Sequence, residues 1–271
     1  MSKGQVYGIL GPNGSGKTTT LAIAMGIIKS QRGKCVWFCQ NTPADNSWKK
    51  NVGTLIEVPY FYPYLDLVDN LKIVAEIKQV PFGDIFRVLQ VAGLYERRHS
   101  TYRTLSLGMQ QRMAIASVML GDPDVLVLDE PTNGLDPQGI ADVREIILSE
   151  REKGKTIILA SHILAEVERV CTHVAVLKNG RLLADGPVAQ LLGRDETLVI
   201  GAKDNEKLMK ALSMSEMINT SDFREDGIWI SLKEGFTPEQ LNRYLMEQGI
   251  ALSKLEKKKK TLESQFLELV K

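Results

Sequence analysis

The chain has 271 residues, of which 44% are apolar and 25% charged, the composition of an ordinary folded globular protein. Its net charge of +1 argues against a general nucleic-acid-binding protein, which normally carries a basic excess or stripe. No apolar run is long enough to cross a bilayer, and the N-terminus lacks a charged segment followed by an apolar one, so any membrane role would come through a partner.

The first predicted feature is a phosphate-binding loop. Residues 11–18, GPNGSGKT, match G-x-x-x-x-G-K-[ST] between a predicted buried strand over residues 6–10 and a predicted helix over residues 18–28. Lys17 would bring its charge to the outer phosphates of a nucleotide, and the hydroxyl of Thr18 would bind Mg²⁺. A chance glycine-rich turn is the alternative, and the strand and helix around the loop disfavour it. The predicted nucleotide-binding residues of this segment are Gly11, Pro12, Asn13, Gly14, Ser15, Gly16, Lys17, Thr18 and Thr19.

A second apolar strand ends in two carboxylates. Residues 125–128 are Val-Leu-Val-Leu and lead directly to Asp129, Glu130 and Pro131. Because successive side chains of a strand point in opposite directions, adjacent acids can take different roles. We expect Asp129 to bind Mg²⁺ and Glu130 to polarise an attacking water. A solvated acidic pair is the alternative, and the wholly apolar strand before it argues against that interpretation.

Three further segments carry a family resemblance. They are LSLGMQQR at residues 105–112, NGLD at residues 133–136 and LASHIL at residues 159–164. Together with the phosphate-binding loop and the carboxylate pair, and in this order, they resemble the ATP-binding cassette (ABC) family over about residues 4–185. The resemblance implies a P-loop NTPase sheet with a helical subdomain, ATP and Mg²⁺ as cofactors, and in-line attack of water on the γ-phosphate.

The resemblance also implies roles for single residues. Ser106 and Gly108 correspond to the family signature, which would contact nucleotide held by a second subunit, and Asp136 belongs to a segment that resembles the D-loop. These three residues complete the predicted nucleotide-binding set. His162 stands where the family keeps its switch histidine, which would contact the γ-phosphate, although a histidine satisfied in the core is the general alternative. The resulting catalytic candidates are Lys17, Glu130 and His162.

Three positions depart from the common family pattern. Leu107 and Met109 replace a glycine and a glutamine of the signature, and Glu57 stands where most members carry the Q-loop glutamine. The departures resemble the branch that exports antimicrobial peptides and drugs, including bacitracin and lantibiotic self-protection systems. Glu57 is therefore a candidate metal ligand beside Thr18 and Asp129, with a solvated strand-end acid as the alternative.

The predicted partners also follow from the resemblance. An integral membrane permease would line the transport path, and a second ATP-binding subunit, expected to be a copy of this chain, would close the nucleotide site. The aromatic run within residues 60–64 is expected to form a partly exposed docking surface, with burial in the core as the alternative. No nucleic acid is expected as a partner. The predicted location is cytoplasmic, peripheral on the inner face of the cell membrane.

Two other functions are weighed against this one. Family members carry two strands and an adenine-stacking aromatic residue ahead of the phosphate loop, whereas only ten residues precede Gly11, so we expect the N-terminal strands to be missing from this sequence. Their loss would favour a nucleotide-binding regulatory module with little or no turnover. A cassette ATPase acting on DNA or ribosomes is disfavoured, because the chain shows neither a long coiled-coil insertion nor a second cassette.

Two domains are predicted. Residues 1–194 form the ABC ATP-binding domain, with a helical subdomain over about residues 66–120. From residue 195 the pattern becomes strand, helix, strand, strand, helix, strand, followed by a last helix over residues 262–270. The predicted fold is α/β, with a small C-terminal α+β domain of ferredoxin-like topology over residues 195–271. We expect this domain to regulate the protein or to support a dimer.

The cysteines and the other histidines carry no motif. Cys35, Cys39 and Cys171 lack metal-ligand spacing, and their odd number excludes a complete disulfide framework. We expect all three to be small buried side chains in a reducing compartment. His99 and His173 are predicted to be structural histidines of the core.

Overall fold

The computed structural model describes residues 1–38, 40–41, 47–57, 60–191, 197–224, 227–233 and 235–258. These residues form two compact units that meet in sequence between Val188 and Ala189. The domain boundary predicted at residues 194/195 falls within residues 192–196, outside the described residues, and stays a prediction. The helix predicted over residues 262–270 and Cys39 also lie outside them.

The first unit alternates strands and helices. In chain order it contains β1 (Val6–Leu10), α1 (Lys17–Ala24), β2 (Val36–Trp37), β3 (Gln40–Asn41), β4 (Val52–Leu55), α2 (Leu67–Lys78), α3 (Asp84–Val91), α4 (Leu107–Met119), β5 (Val125–Asp129), α5 (Pro137–Glu152), β6 (Thr156–Ser161), α6 (Leu164–Val170), β7 (His173–Lys178) and β8 (Arg181–Pro187), and α7 (Val188–Leu191) follows at the boundary. Six strands form one sheet in the order β4-β5-β6-β1-β7-β8. All its pairings are parallel except the antiparallel pairing of β8 with β7. The predicted α/β fold class is confirmed.

The strand order determines which loops become neighbours. β1 lies beside β6, and β6 lies beside β5, at the centre of the parallel sheet. The phosphate-binding loop follows β1, Asp129 ends β5, and His162 follows β6. Because the carboxyl ends of parallel strands lie at one edge of the sheet, these three segments meet there.

Helix α1 is shorter than predicted. It ends at Ala24 rather than at residue 28, because Gly26 adopts a left-handed backbone with φ 68°. Leu21 and Met25 face the core as expected. Ile28, which the helical pattern also assigned to the core, is exposed, and that part of the prediction is wrong.

The C-terminal end of α4 is held by side chains of α2 and α3. Lys78 Nζ donates to the carbonyl oxygens of Ser117 and Val118 at 2.9 and 3.1 Å, and the Arg87 guanidinium donates to that of Met119 at 3.0 Å. These bonds satisfy carbonyls that a helix end leaves unpaired. Burial lowers the pKa of Lys78 to about 8. One end of α4 is thus anchored by its neighbours.

The second unit has a different architecture. Its elements are β9 (Thr197–Ala202), α8 (Asn205–Ser213), β10 (Ile218–Arg224), β11 (Gly227–Leu232), α9 (Pro238–Glu247) and β12 (Leu252–Lys258). The strands form an antiparallel sheet in the order β10-β11-β9-β12, which is the split β-α-β-β-α-β topology expected from the sequence. Thr237 and Gln240 form the predicted capping box of α9. Within the described ranges, neither unit has a helix with the length and apolar character needed to cross a bilayer.

Two of the predicted core residues lie elsewhere. Cys171 is buried, and burial raises the pKa of its thiol to about 12, but Cys35, just before the short strand β2, is exposed. His173 is half-buried, whereas His99 is exposed and its Nδ1 lies 3.2 Å from an Asp66 carboxylate oxygen. The expectations for Cys35 and His99 are therefore wrong.

Candidate nucleotide and catalytic site

The phosphate-binding loop has a backbone that favours glycine at its key positions. Gly14 and Gly16 have φ of 79° and 101°, in the left-handed region that favours glycine. A Cβ at Gly11 would lie 2.3 Å from Ser15 Oγ and 2.5 Å from the carbonyl oxygen of Leu177, so no side chain fits there. The glycines at positions 11, 14 and 16 thus have a steric basis in the folded loop.

The sheet brings a charged cluster together beside this loop. Lys17 Nζ lies 3.3 Å from Glu130 Oε1 and donates to the carbonyl oxygen of Gly11 at 2.8 Å. His162 Nδ1 lies 2.8 Å from Glu130 Oε2. The three predicted catalytic side chains therefore form one contiguous group, with Glu130 between the other two.

The candidate metal ligands lie next to this group. Thr18 Oγ1 donates to Asp129 Oδ2 at 2.6 Å, while Asp129 Oδ1 is buried and has no hydrogen-bond partner among the described residues. Burial raises the pKa of Asp129, and the negative charges of Glu130 and Glu57 raise it further; the Thr18 hydroxyl and Lys17 act in the opposite direction without cancelling the rise. An unpaired buried carboxylate oxygen beside a hydroxyl oxygen suits a small divalent cation.

The donor set fits Mg²⁺ better than a cation held entirely by protein. Among the described residues, no three His, Cys, Asp or Glu side chains cluster as a metal cage. Mg²⁺ is usually bound through one or two carboxylates together with waters and substrate phosphates. Thr18 and Asp129 could supply such a partial set, with Glu57 near enough to influence the charge of Asp129.

Two acids at the site have strained backbones. Glu130 has φ 47° and Glu57 has φ 64°, a region that costs non-glycine residues roughly 1–3 kcal/mol. Glu130 is held in place because its N–H donates to the carbonyl oxygen of Ala160 at 2.9 Å and its own carbonyl accepts from the N–H of Asn133 at 3.1 Å. Strain of this kind is common where a side chain must be aimed at a reacting group.

A cavity of about 240 Å³ opens beside the carboxylates. Its lining residues are Glu57, Tyr102, Leu107, Gln110, Gln111, Ala114, Asp129, Glu130 and Asn133. None of the described phosphate-loop residues is among them. None of the lining residues was a predicted site residue apart from Glu57, Asp129 and Glu130, although Gln110, Gln111 and Asn133 lie within the segments 105–112 and 133–136. A signal existed, because residues 107, 110, 111 and 114 follow the i, i+3, i+4, i+7 spacing of one helix face.

The other predicted nucleotide-binding residues form a separate group. Ser106 and Asp136 are the N-caps of α4 and α5, accepting from the N–H groups of Met109 at 3.3 Å and Gly139 at 2.8 Å. Gly108 packs against this region, with Gly139 Cα 3.7 Å from where its Cβ would be. All three line a second cavity, of about 410 Å³. None of the residues 11–19 lines this second cavity.

Replacing Asp129 by Asn is expected to stabilise the protein without nucleotide while weakening Mg²⁺-dependent ATP binding. The pKa of Asp129 is higher in the folded state than in the unfolded state. The wild type therefore loses stability as the pH rises from below the ordinary carboxyl pKa to above the folded-state pKa of Asp129. This loss of stability is still present at neutral pH. Asparagine removes that loss and can still accept from Thr18. The variant should melt higher at pH 7, with a difference that shrinks towards about pH 3. A variant that melts lower than wild type at pH 7 would contradict this.

Comparison with known proteins matches this sequence to a family. The family described as "ABC transporter" matches residues 1–133. The bacitracin transport ATP-binding protein BcrA of Bacillus licheniformis is 35% identical over 274 residues, covering 100% of this chain and 90% of that protein. The lantibiotic transport ATP-binding protein SrtF of Streptococcus pyogenes is 36% identical over 187 residues, covering 68% of this chain and 79% of that protein.

A solved structure gives the same result for the fold. CbiO1 from Clostridium perfringens, described as part of the ABC transporter complex cbiONQ, superposes with a TM-score of 0.65 at 27% identity, covering 72% of this chain and 81% of that one. The chain belongs to the ABC transporter ATP-binding proteins and is an ATP-binding ATPase subunit of that family.

Proposed function

We propose that this chain powers an exporter of antimicrobial peptides or drugs through a separate membrane subunit, by ATP-driven dimerisation. One observation carries the proposal. Lys17, Glu130 and His162 form one cluster, whereas Ser106 and Gly108 line a different cavity. A chain arranged in this way closes its nucleotide site only when the α4 N-terminus of another subunit is placed over its phosphate-binding loop.

Each residue of the cluster takes a role in phosphoryl transfer. Lys17 neutralises charge on the outer phosphates, and His162 contacts the γ-phosphate and orients Glu130 through their 2.8 Å contact. Glu130 accepts the proton of the attacking water as general base. When bound with ATP, Mg²⁺ would supply charge neutralisation on the phosphates, held by Thr18 and Asp129, with Glu57 facing the same region.

The export assignment is supported by the relatives and by an exposed surface. BcrA and SrtF are named for transport of bacitracin and lantibiotics. The side chains of Tyr60, Tyr62 and Tyr64 are exposed just after Glu57, which suits docking to a membrane subunit. This docking would place the protein peripherally on the inner face of the membrane. The alternative, burial of the aromatic run in the core, is disfavoured by this exposure.

The function is tested in cells and in solution. Cells that express the chain with its membrane subunit should gain tolerance to bacitracin or a lantibiotic, and the purified pair should release phosphate from Mg-ATP. Lys17→Ala should abolish both effects, because the outer phosphates lose their main charge partner. Lys72→Ala, an exposed change on α2, should alter neither. Phosphate release without any gain in tolerance would reject the export assignment.

A further inference from the structure

We propose that the 240 Å³ cavity beside Glu130 holds the water that attacks ATP, and that Tyr102 and Gln111 position this water. The inference rests on the proposed hydrolysis and extends it to Tyr102 and to Gln111, a residue of the segment 105–112 that has no assigned role so far. Among its lining residues, Asp129 and Glu130 contribute carboxylates of the site, while Tyr102, Gln110, Gln111 and Asn133 contribute neutral polar groups.

The cavity is suited to ordered water rather than to an apolar ligand. A cavity retains water when it is roomy enough and offers each molecule two to four polar partners. A volume of about 240 Å³ accommodates several waters, and hydroxyl, amide and carboxylate groups line it. Leu107 and Ala114 supply apolar wall, which limits where hydrogen bonds can form.

Two of the neutral groups are available to bind water. The Gln110 amide donates to the carbonyl oxygen of Leu105 at 3.3 Å and is therefore engaged. The Gln111 amide and the Tyr102 hydroxyl make no hydrogen bond to any described residue. The Tyr102 ring is fixed against Phe61, with their centroids 5.1 Å apart, so its hydroxyl has a defined position. Burial raises the pKa of Tyr102, which keeps the hydroxyl neutral and able to both donate and accept.

Glu130 links the charged cluster to the cavity. Its Oε1 faces Lys17 and its Oε2 faces His162, and the residue also lines the cavity. In the reaction, the water oxygen forms a bond to the γ-phosphorus and its proton passes to Glu130. The bond from the γ-phosphorus to the bridging oxygen breaks, and its electron pair leaves with ADP. The products are ADP and inorganic phosphate.

The test separates water positioning from nucleotide binding. Gln111→Leu and Tyr102→Phe should each lower kcat by up to about tenfold, the effect of losing one hydrogen bond, and the double variant should lower it further. The Kd for Mg-ATP and the melting temperature should match wild type, because neither residue lies in the phosphate-binding loop. Both residues are half-buried, so these changes leave the core packing in place.

Matched controls make the same chemical changes away from the cavity. Gln90→Leu on α3 and Tyr95→Phe after it should keep wild-type kcat. An unchanged kcat in the double variant would overturn the proposal, and so would a loss confined to Mg-ATP affinity, which would place these residues on the nucleotide. Failure of the underlying function would differ, because wild type itself would then release no phosphate.

Discussion

Replacing Glu130 by Gln is expected to lower the rate of ATP hydrolysis by about 10²–10⁴-fold, the usual contribution of a general base, while ATP still binds. The amide keeps the size of the side chain and its contact with His162, but it cannot accept the proton of the attacking water. The substitution also removes the negative charge 3.3 Å from Lys17, so the lysine becomes freer to neutralise the phosphates. Binding of Mg-ATP should therefore be as tight as in wild type or tighter.

Two measurements check this expectation. Phosphate release under single turnover gives the chemical step, and scattering gives the subunit state. Saturated with Mg-ATP and supplied with its membrane subunit, the Glu130→Gln variant should accumulate as a dimer, because the nucleotide at the seam is no longer consumed. Glu152→Gln, an exposed change at the end of α5, is the matched control and should behave as wild type. Unchanged turnover in Glu130→Gln would remove Glu130 from the role of base.

Motifs with a fixed local geometry were predictable from sequence. The phosphate loop and the carboxylate pair each come at the end of a short apolar strand. Because parallel strands have their carboxyl ends at the same edge of the sheet, the two motifs are expected at that edge. The second unit was predictable for a similar reason, since its periodicity and the Thr237 capping box are local signals. Predicting these features requires only residues that lie close together in the sequence.

Features that depend on backbone exceptions or on distant packing were not predictable in this way. The early end of α1 follows from the left-handed conformation of Gly26, which a helical pattern of apolar residues does not reveal. Glu57 and Glu130 adopt positive φ, which sequence statistics disfavour for glutamate. The cavity arises only where α4 passes the end of β5, so Tyr102 and Gln111 became candidates only with the tertiary structure.

The first unit contains a buried ionic group outside the candidate site. Glu150 at the end of α5 is fully buried, and its two carboxylate oxygens lie 2.6 Å from Lys153 Nζ and 2.9 Å from Lys155 Nζ. Lys155 is itself buried, and its Nζ also lies 2.6 Å from an Asp122 carboxylate oxygen. Burial alone would raise the pKa of Glu150, but the hydrogen bonds and charges of the two lysines hold it below its ordinary value.

Replacing Glu150 by Ala is expected to lower the free energy of unfolding by about 3–5 kcal/mol, because removing one member of a buried pair leaves the other charge buried with too few partners. Asp122 alone remains for Lys155, and it is largely exposed. Denaturant unfolding at pH 7 measures the loss, with Lys72→Ala, which breaks an exposed pair on α2, as a control whose midpoint should match wild type.

The pH dependence gives this prediction a second check. Because the folded-state pKa of Glu150 is lowered, its stabilising contribution is complete above the unfolded-state value and is lost as the pH falls through the folded-state value. Wild type and Glu150→Ala should therefore converge in stability in acid, below the ordinary glutamate pKa of about 4. Equal stability of the two proteins at pH 7 would mean that desolvation of Glu150 and Lys155 cancels their attraction. The ionic group would then fix the positions of these side chains without adding to the free energy of unfolding.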